Sequence, residues 1–116
     1  MKTSSFSISG TDPNAVSIAR MQPRWFHFTG RKYPTLAPSR PLLKAWNAQE
    51  IDEQEYTEMF YRETLAKVTP EQVLEDLGED AILLCYEPPG KFCHRRIVAR
   101  WLEEGLGIQV PEVEDK

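Results

Sequence analysis

Ala81-Ile82-Leu83-Leu84-Cys85-Tyr86 is the one continuous apolar run in the chain. Turn chemistry bounds it, with Gly78-Glu79-Asp80 before and Pro88-Pro89-Gly90 after. A short apolar run without polar alternation suits a central strand buried on both faces. Upstream, Thr69-Pro70-Glu71-Gln72 has capping-box spacing with proline at the first helical position. Val73, Leu74 and Leu77 form that helix's apolar stripe, and Gly78 closes it. Downstream, a helix is expected from about Cys93 or His94 to Glu104, burying Ile97, Val98, Trp101 and Leu102. Strands separated by helices predict an α/β fold, a three-layer sandwich with a small, mostly parallel sheet flanked by helices.

Working outward, Thr3 to Ser9 alternates small polar residues with Phe6 and Ile8 and reads as a first strand. Gly10-Thr11-Asp12-Pro13-Asn14 is a turn, and Ala15 to Ala19 reads as a second strand. Residues 20–41 carry Pro23, Pro34, Pro38 and Pro41 with Gly30, which argues for a long structured loop. A helix then starts near Ser39, with Pro41 in its first turn and Leu42, Leu43 and Trp46 facing inward. Asp52-Glu53-Gln54-Glu55 is a further capping box, followed by Tyr56, Met59 and Phe60 at helical intervals. Ile108 and Val110 read as a last short strand. The expected organisation is a single domain over 1–116, with 111–116 as a flexible tail.

Composition bounds the class. The 116 residues are 41% hydrophobic and 28% charged, ordinary for a globular chain. No window approaches a transmembrane length and the N-terminus lacks a signal-peptide run, so a cytoplasmic protein without membrane contact is expected. In that compartment Cys85 and Cys93 are expected as free thiols. The two cysteines and two histidines have neither C-x-x-C nor H-x-x-x-H spacing, so no metal site is expected. The sequence names no cofactor and fixes no oligomeric state. The net charge of −4 hides a split: residues 1–48 hold seven basic side chains and one acid, residues 49–116 seven basic and seventeen acidic. The basic part suits an anionic partner.

The strand–loop–helix segment from Leu83 to Arg96 is where chemistry would sit. Ligands of open α/β sheets bind beyond the carboxyl ends of the strands. Cys85 and Glu87 lie at that end; Cys93, His94 and Arg95 lie at a helix start, which favours anions and thiolates. Cys93, His94, Glu87 and Cys85 are therefore the catalytic candidates. The same cysteines also suit plain core packing, Cys85 more than Cys93. Gly90-Lys91 lacks the rest of a P-loop, neither cysteine opens a C-x5-R loop, and no G-x-S-x-G elbow occurs.

Two further features stand out. Glu63 falls on the stripe of Tyr56, Met59 and Phe60, so it needs a partner, with an arginine from the loop or last helix expected, unless it reaches water at the stripe edge. Arg20, Arg24, Arg31, Lys32, Arg40 and Lys44 interleave with Trp25, Phe26, Phe28 and Tyr33. That mixture suits stacking on bases and contact with phosphate, and also an aromatic mini-core under arginine stems, the reading that Trp25 and Phe26 favour.

Ala15-Val16-Ser17-Ile18-Ala19-Arg20, Gly30-Arg31-Lys32-Tyr33, Ile51-Asp52-Glu53, and Leu83-Leu84-Cys85-Tyr86-Glu87 with Phe92-Cys93-His94-Arg95 resemble the domain-of-unknown-function 488 family. The resemblance covers nearly the whole chain and is most specific in the C-Y-E…C-H-R segment. It implies an α/β domain whose marked positions are Arg20 and the Cys85/Glu87/Cys93/His94/Arg95 cluster. Larger members carry an aspartate near the early arginine, where this chain has Ser17 and Ala19. The resemblance implies a site and not a reaction.

Residues and resemblance together set the expectation of a thiol-dependent enzyme acting on a small phosphorylated molecule or nucleic acid. Arg20, Arg95, Arg31 and Tyr33 are its anion- or substrate-binding candidates. The alternatives are a non-catalytic nucleotide or single-strand binding module, or a protein–protein adaptor.

Overall fold

The computed structural model describes residues 1–87 and 91–113. The expected Pro88-Pro89-Gly90 turn and the end of the expected tail, 114–116, lie outside them. Four strands form one parallel sheet: β1 (Lys2–Ser5), β2 (Ala15–Ser17), β3 (Arg31–Lys32) and β4 (Ile82–Cys85), in the order β1-β4-β2-β3. The helices are α1 (Phe6–Ser9), α2 (Arg40–Asn47), α3 (Glu53–Glu63), α4 (Pro70–Leu77) and α5 (His94–Leu106), with 3-10 turns at Pro34–Leu36 and Leu65–Lys67. This is the expected α/β sandwich. The apolar run occupies a central position, and every residue of β4 is buried.

Alternating residues of β2 and β4 serve opposite faces. Val16 and Leu83 pack into the larger core with Leu42, Phe60, Val73, Val98 and Leu102 from α2 to α5. Ala15, Ile82 and Leu84 pack into a smaller core with Phe6 and Phe28, and Phe26 leans on it. The third layer is therefore the single turn of α1 plus the aromatic loop. The aromatic residues of that loop divide: Phe28 is buried, while Trp25 is 65% exposed and tilted against Phe26.

The helix starts follow their local signals. Asp52 and Glu55 close a reciprocal capping box on α3, and Ser39 and Thr69 accept from the backbone N–H groups of Leu42 and Gln72. Gly107, in the left-handed region at φ 66°, ends α5.

Four expectations need correction. The first strand stops at Ser5, because Phe6–Ser9 coils into one helical turn. There Ser4 Oγ meets Ser9 Oγ at 2.7 Å, and Phe6 packs edge-on against Phe28. Serine hydroxyls offer the chain local partners that compete with a ladder. The 20–41 loop contains β3, whose following residue Tyr33 donates its N–H to the Ser17 carbonyl at 2.8 Å. Residues 108–110 form no strand. Val110 N–H is taken by Glu103 Oε2 at 2.8 Å and its carbonyl by Arg96 Nη1 at 2.9 Å, so α5 side chains satisfy that backbone. Finally, Pro111–Val113 is held against β1 rather than loose: Thr3 donates its N–H to Pro111 and accepts at its carbonyl from Val113. Among the described residues no helix is long and apolar enough to cross a membrane.

Candidate functional site

The parallel sheet presents the carboxyl ends of β2 and β4 side by side. The ladder continues one residue past β2, where Ile18 donates its N–H to the Leu84 carbonyl at 3.0 Å. Cys85 ends β4 fully buried, and α5 begins across from it with Cys93 as N-cap. A cavity of about 380 Å³ opens over these ends, lined by Arg20, Cys85, Glu87, Cys93 and His94. Its wall is aromatic. Trp46, Tyr56 and Phe92 meet with ring centroids 4.8–5.5 Å apart, clamping α2, α3 and the segment before α5 together. Burial pushes the Tyr56 hydroxyl well above its usual range.

The cysteines are not two separate free thiols. Cys85 and Cys93 are joined as a disulfide across eight residues. No sequence spacing announced this, because the pairing depends on a strand end meeting a helix start. The ligand atoms of Cys85, Cys93 and His94 all lie within 4.8 Å of one another, a convergence that the linear spacing also hid.

His94 is buried edge-on against Phe60. Its Nε2 sits 2.8 Å from the Ile18 carbonyl, which can only accept, so Nε2 carries the proton. Nδ1 then holds the lone pair and faces Cys93 Sγ at 3.8 Å. Burial pushes the imidazole down to about 4, against the raising effect of the Ile18 bond and with help from the neighbouring Arg95 charge. The ring is a neutral base at ordinary pH.

Arg95 is placed differently from its expected role as an anion clamp. It is 0% exposed and does not line the cavity. Its Nε and Nη2 grip Glu112 at 2.7–3.2 Å, and its Nη1 donates to Cys85 Sγ at 3.1 Å. Sequence reasoning missed Glu112 altogether; its only mark is an acid among Val110, Pro111 and Val113. Burial acts to raise its carboxyl, but the Arg95 and Thr3 hydrogen bonds and the charges of Arg95 and Arg96 outweigh that and hold it below the usual range.

Arg31 and Tyr33 also lie apart from the cavity. Arg31 Nη2 donates to the Leu77 carbonyl at the end of α4, and Tyr33 hydroxyl donates to Asp76 at 2.5 Å. Partial burial and that acid push Tyr33 up to about 12. Glu63 finds no arginine among the described residues. It is half-buried and accepts from Ser39 Oγ at 2.7 Å, in a second, more open cavity that Arg20 also borders. Arg20 is thus the lysine-or-arginine side chain lining the thiol cavity among the described residues. Its Nε is anchored on the Pro38 carbonyl at 2.9 Å, and no described residue bonds its two terminal nitrogens.

Fold and site together define an α/β protein with a sulfur–imidazole pocket at the carboxyl edge of a parallel sheet, bordered by one anchored arginine. The chain belongs to the DUF488 family: the model of DUF488-N3a, described as the active DUF488-N3 subclade, matches residues 12–106. No curated protein and no solved structure matches it.

Proposed function

We propose that the chain is a thiol-dependent enzyme acting on a phosphate-bearing substrate, a nucleotide or nucleic-acid end. Cys93 is the nucleophile of the reduced pocket, His94 the general base that accepts its S–H hydrogen bond and draws the proton off as the sulfur attacks, and Arg20 the cation that holds the phosphate. Glu87, at the mouth of the cavity, is the second proton-transfer group. One observation carries this reading. The Ile18 carbonyl fixes the His94 tautomer, so the Nδ1 lone pair is turned to Cys93 Sγ inside a cavity that admits a ligand. Arg20 supports it, because an arginine anchored through Nε presents its two terminal nitrogens as a fork matched to phosphate oxygens. The description of the matched subclade as active is consistent with chemistry at this site. The Cys85–Cys93 disulfide must be reduced first, since a bonded sulfur cannot attack.

The test is alkylation of the reduced protein at neutral pH, read by peptide mass spectrometry. Cys93 is expected to react about tenfold or more faster than a model thiol. His94→Gln keeps a donor toward Ile18 and removes the base, so the excess rate should vanish. A Cys93 that reacts no faster than the model thiol ends the nucleophile assignment. A non-catalytic binding module is the second reading, favoured by the exposed Trp25 beside Phe26 in the basic loop. It predicts nucleotide or single-strand affinity that falls with salt and with Trp25→Ala but survives Cys93→Ser.

A further inference from the structure

We propose that the reduced Cys85–Cys93–His94 trio is a binding site for a thiophilic divalent cation of the zinc class, with two sulfurs and one imidazole nitrogen as ligands and a fourth position facing the cavity. Convergence is the first ground: the ligand atoms of Cys85, Cys93 and His94 lie within 4.8 Å of one another, and His94 Nδ1 is 3.8 Å from Cys93 Sγ. Sulfur and imidazole are the donors that zinc selects, and three protein ligands with one open position is the pattern of its reactive sites.

The surroundings supply the rest. Histidines that hold metals donate their other ring N–H to a carboxylate or backbone carbonyl, which fixes the tautomer. His94 does this, with Nε2–H on the Ile18 carbonyl at 2.8 Å and Nδ1 facing Cys93 Sγ at 3.8 Å. Arg95 Nη1 donates to Cys85 Sγ at 3.1 Å, a charged hydrogen bond that favours a thiolate there.

The site forms from the disulfide in balanced steps. Two equivalents of a low-molecular-weight thiol together supply two electrons and two protons, giving two cysteine thiols and one small-molecule disulfide. The cation then displaces the two thiol protons and bonds both thiolates and Nδ1. Once bound, neither sulfur is available as a nucleophile, so metal occupancy and the thiol chemistry proposed above exclude each other.

Protein reduced with a phosphine and desalted under argon is mixed with zinc or cobalt(II) alone. One zinc per chain is expected to survive desalting and to slow alkylation of both cysteines at least tenfold. Cobalt should give a thiolate charge-transfer band. Cys85→Ser, Cys93→Ser and His94→Gln should each weaken zinc binding at least tenfold while circular dichroism stays native. Zinc-edge absorption of the unmutated protein provides a check that needs no variant: two sulfurs at about 2.3 Å and a nitrogen near 2.0 Å. No retained zinc, or a metal bound through one sulfur or none, overturns the inference. Zinc capture by a chain whose metal-free Cys93 is sluggish supports this site and ends only the nucleophile assignment. A fast Cys93 in a chain that retains no zinc does the reverse.

Discussion

Glu112→Gln should destabilise the protein far more than its place near the chain end suggests. The carboxylate is the counter-charge of Arg95, whose guanidinium has no solvent exposure, and Glu112 itself is only 13% exposed. Glutamine keeps the shape and one acceptor oxygen but removes the charge. Breaking one side of a buried ion pair costs about 3–5 kcal/mol, because the partner is left uncompensated. The retained acceptor places this case at the lower end, about 3 kcal/mol. With unfolding entropy of about 2.1 cal/mol/K per residue over 116 residues, that loss lowers Tm by about 12 °C.

Arg100–Glu104 supplies the internal control. It is the same kind of pair, but its side chains are 79% and 67% exposed. Water screens it, so Glu104→Gln should cost no more than about 0.5 kcal/mol, or about 2 °C. The assay is thermal and urea unfolding of both variants beside the parent, with an unchanged urea m-value as the condition for reading midpoints as stability. Arg95→Met combined with Glu112→Leu should lose less than Glu112→Gln alone, since no charge is then stranded. If Glu112→Gln and Glu104→Gln shift Tm equally, Arg95 is not held by Glu112. The arginine would then be available to an anion, as the sequence pattern alone suggests.

Two further outcomes follow from burial and packing. Acid should weaken the fold in two stages, because His94 and Glu112 both have folded pKa values below their unfolded ones. The unfolded chain therefore binds more protons as pH falls. The His94 contribution is intact above its ordinary value of 6.5 and is lost on the way down to about 4, about 3 kcal/mol in all. The Glu112 contribution is lost lower, as pH drops below the usual carboxylate range. His94→Gln should flatten the upper stage of urea midpoints against pH; an unchanged upper stage would place the titration elsewhere. Gly105→Ala sets two effects against each other. Alanine gains about 1 kcal/mol of helix propensity inside α5, but its Cβ would lie 2.4 Å from Pro70 Cγ on α4. The proline ring cannot swing aside, and overpacking costs about 1–3 kcal/mol. A net loss of about 1 kcal/mol is expected by urea unfolding, and a gain in stability would mean that α4 and α5 separate freely at that point.

What the sequence made legible was whatever is encoded locally. β4 is a contiguous apolar run, and α3 and α4 carry their caps within four residues, so each could be placed without knowing what it packs against. The Cys85/Glu87/Cys93/His94 grouping was legible for the same reason, since a strand end and the next helix start are close in any α/β turn. β3 was hidden because two residues of strand in a proline-rich loop leave no period to detect. Arg95 was misplaced because its partner lies 17 residues away, in a segment without regular structure, and a sequence with eighteen acids does not say which one will be buried beside it. Glu63 shows the same limit: its partner is Ser39, 24 residues back, and not a charge. The disulfide and the three-ligand cluster belong to this class too, since both depend on how far apart two elements stop.

The sorting of the basic side chains bears on the function more than their number does. Arg95 is used to hold Pro111–Val113 against β1 and to touch Cys85, and Arg31 is used on α4. Arg20 is anchored through Nε on the Pro38 carbonyl and lines both the thiol cavity and the more open cavity that holds Glu63. Ile18 sits two residues before it, with its N–H extending the ladder to β4 and its carbonyl orienting His94. The short stretch from Ile18 to Arg20 therefore both orients the His94 ring and brings an arginine to the edge of the cavity. A one-residue change in the register of β2 would flip its side chains to the opposite face and displace both the Ile18 carbonyl and Arg20. The loop that follows β2 is thus constrained at its first residues by the pocket and at Phe28 by the smaller core, with Trp25 between them left exposed to solvent.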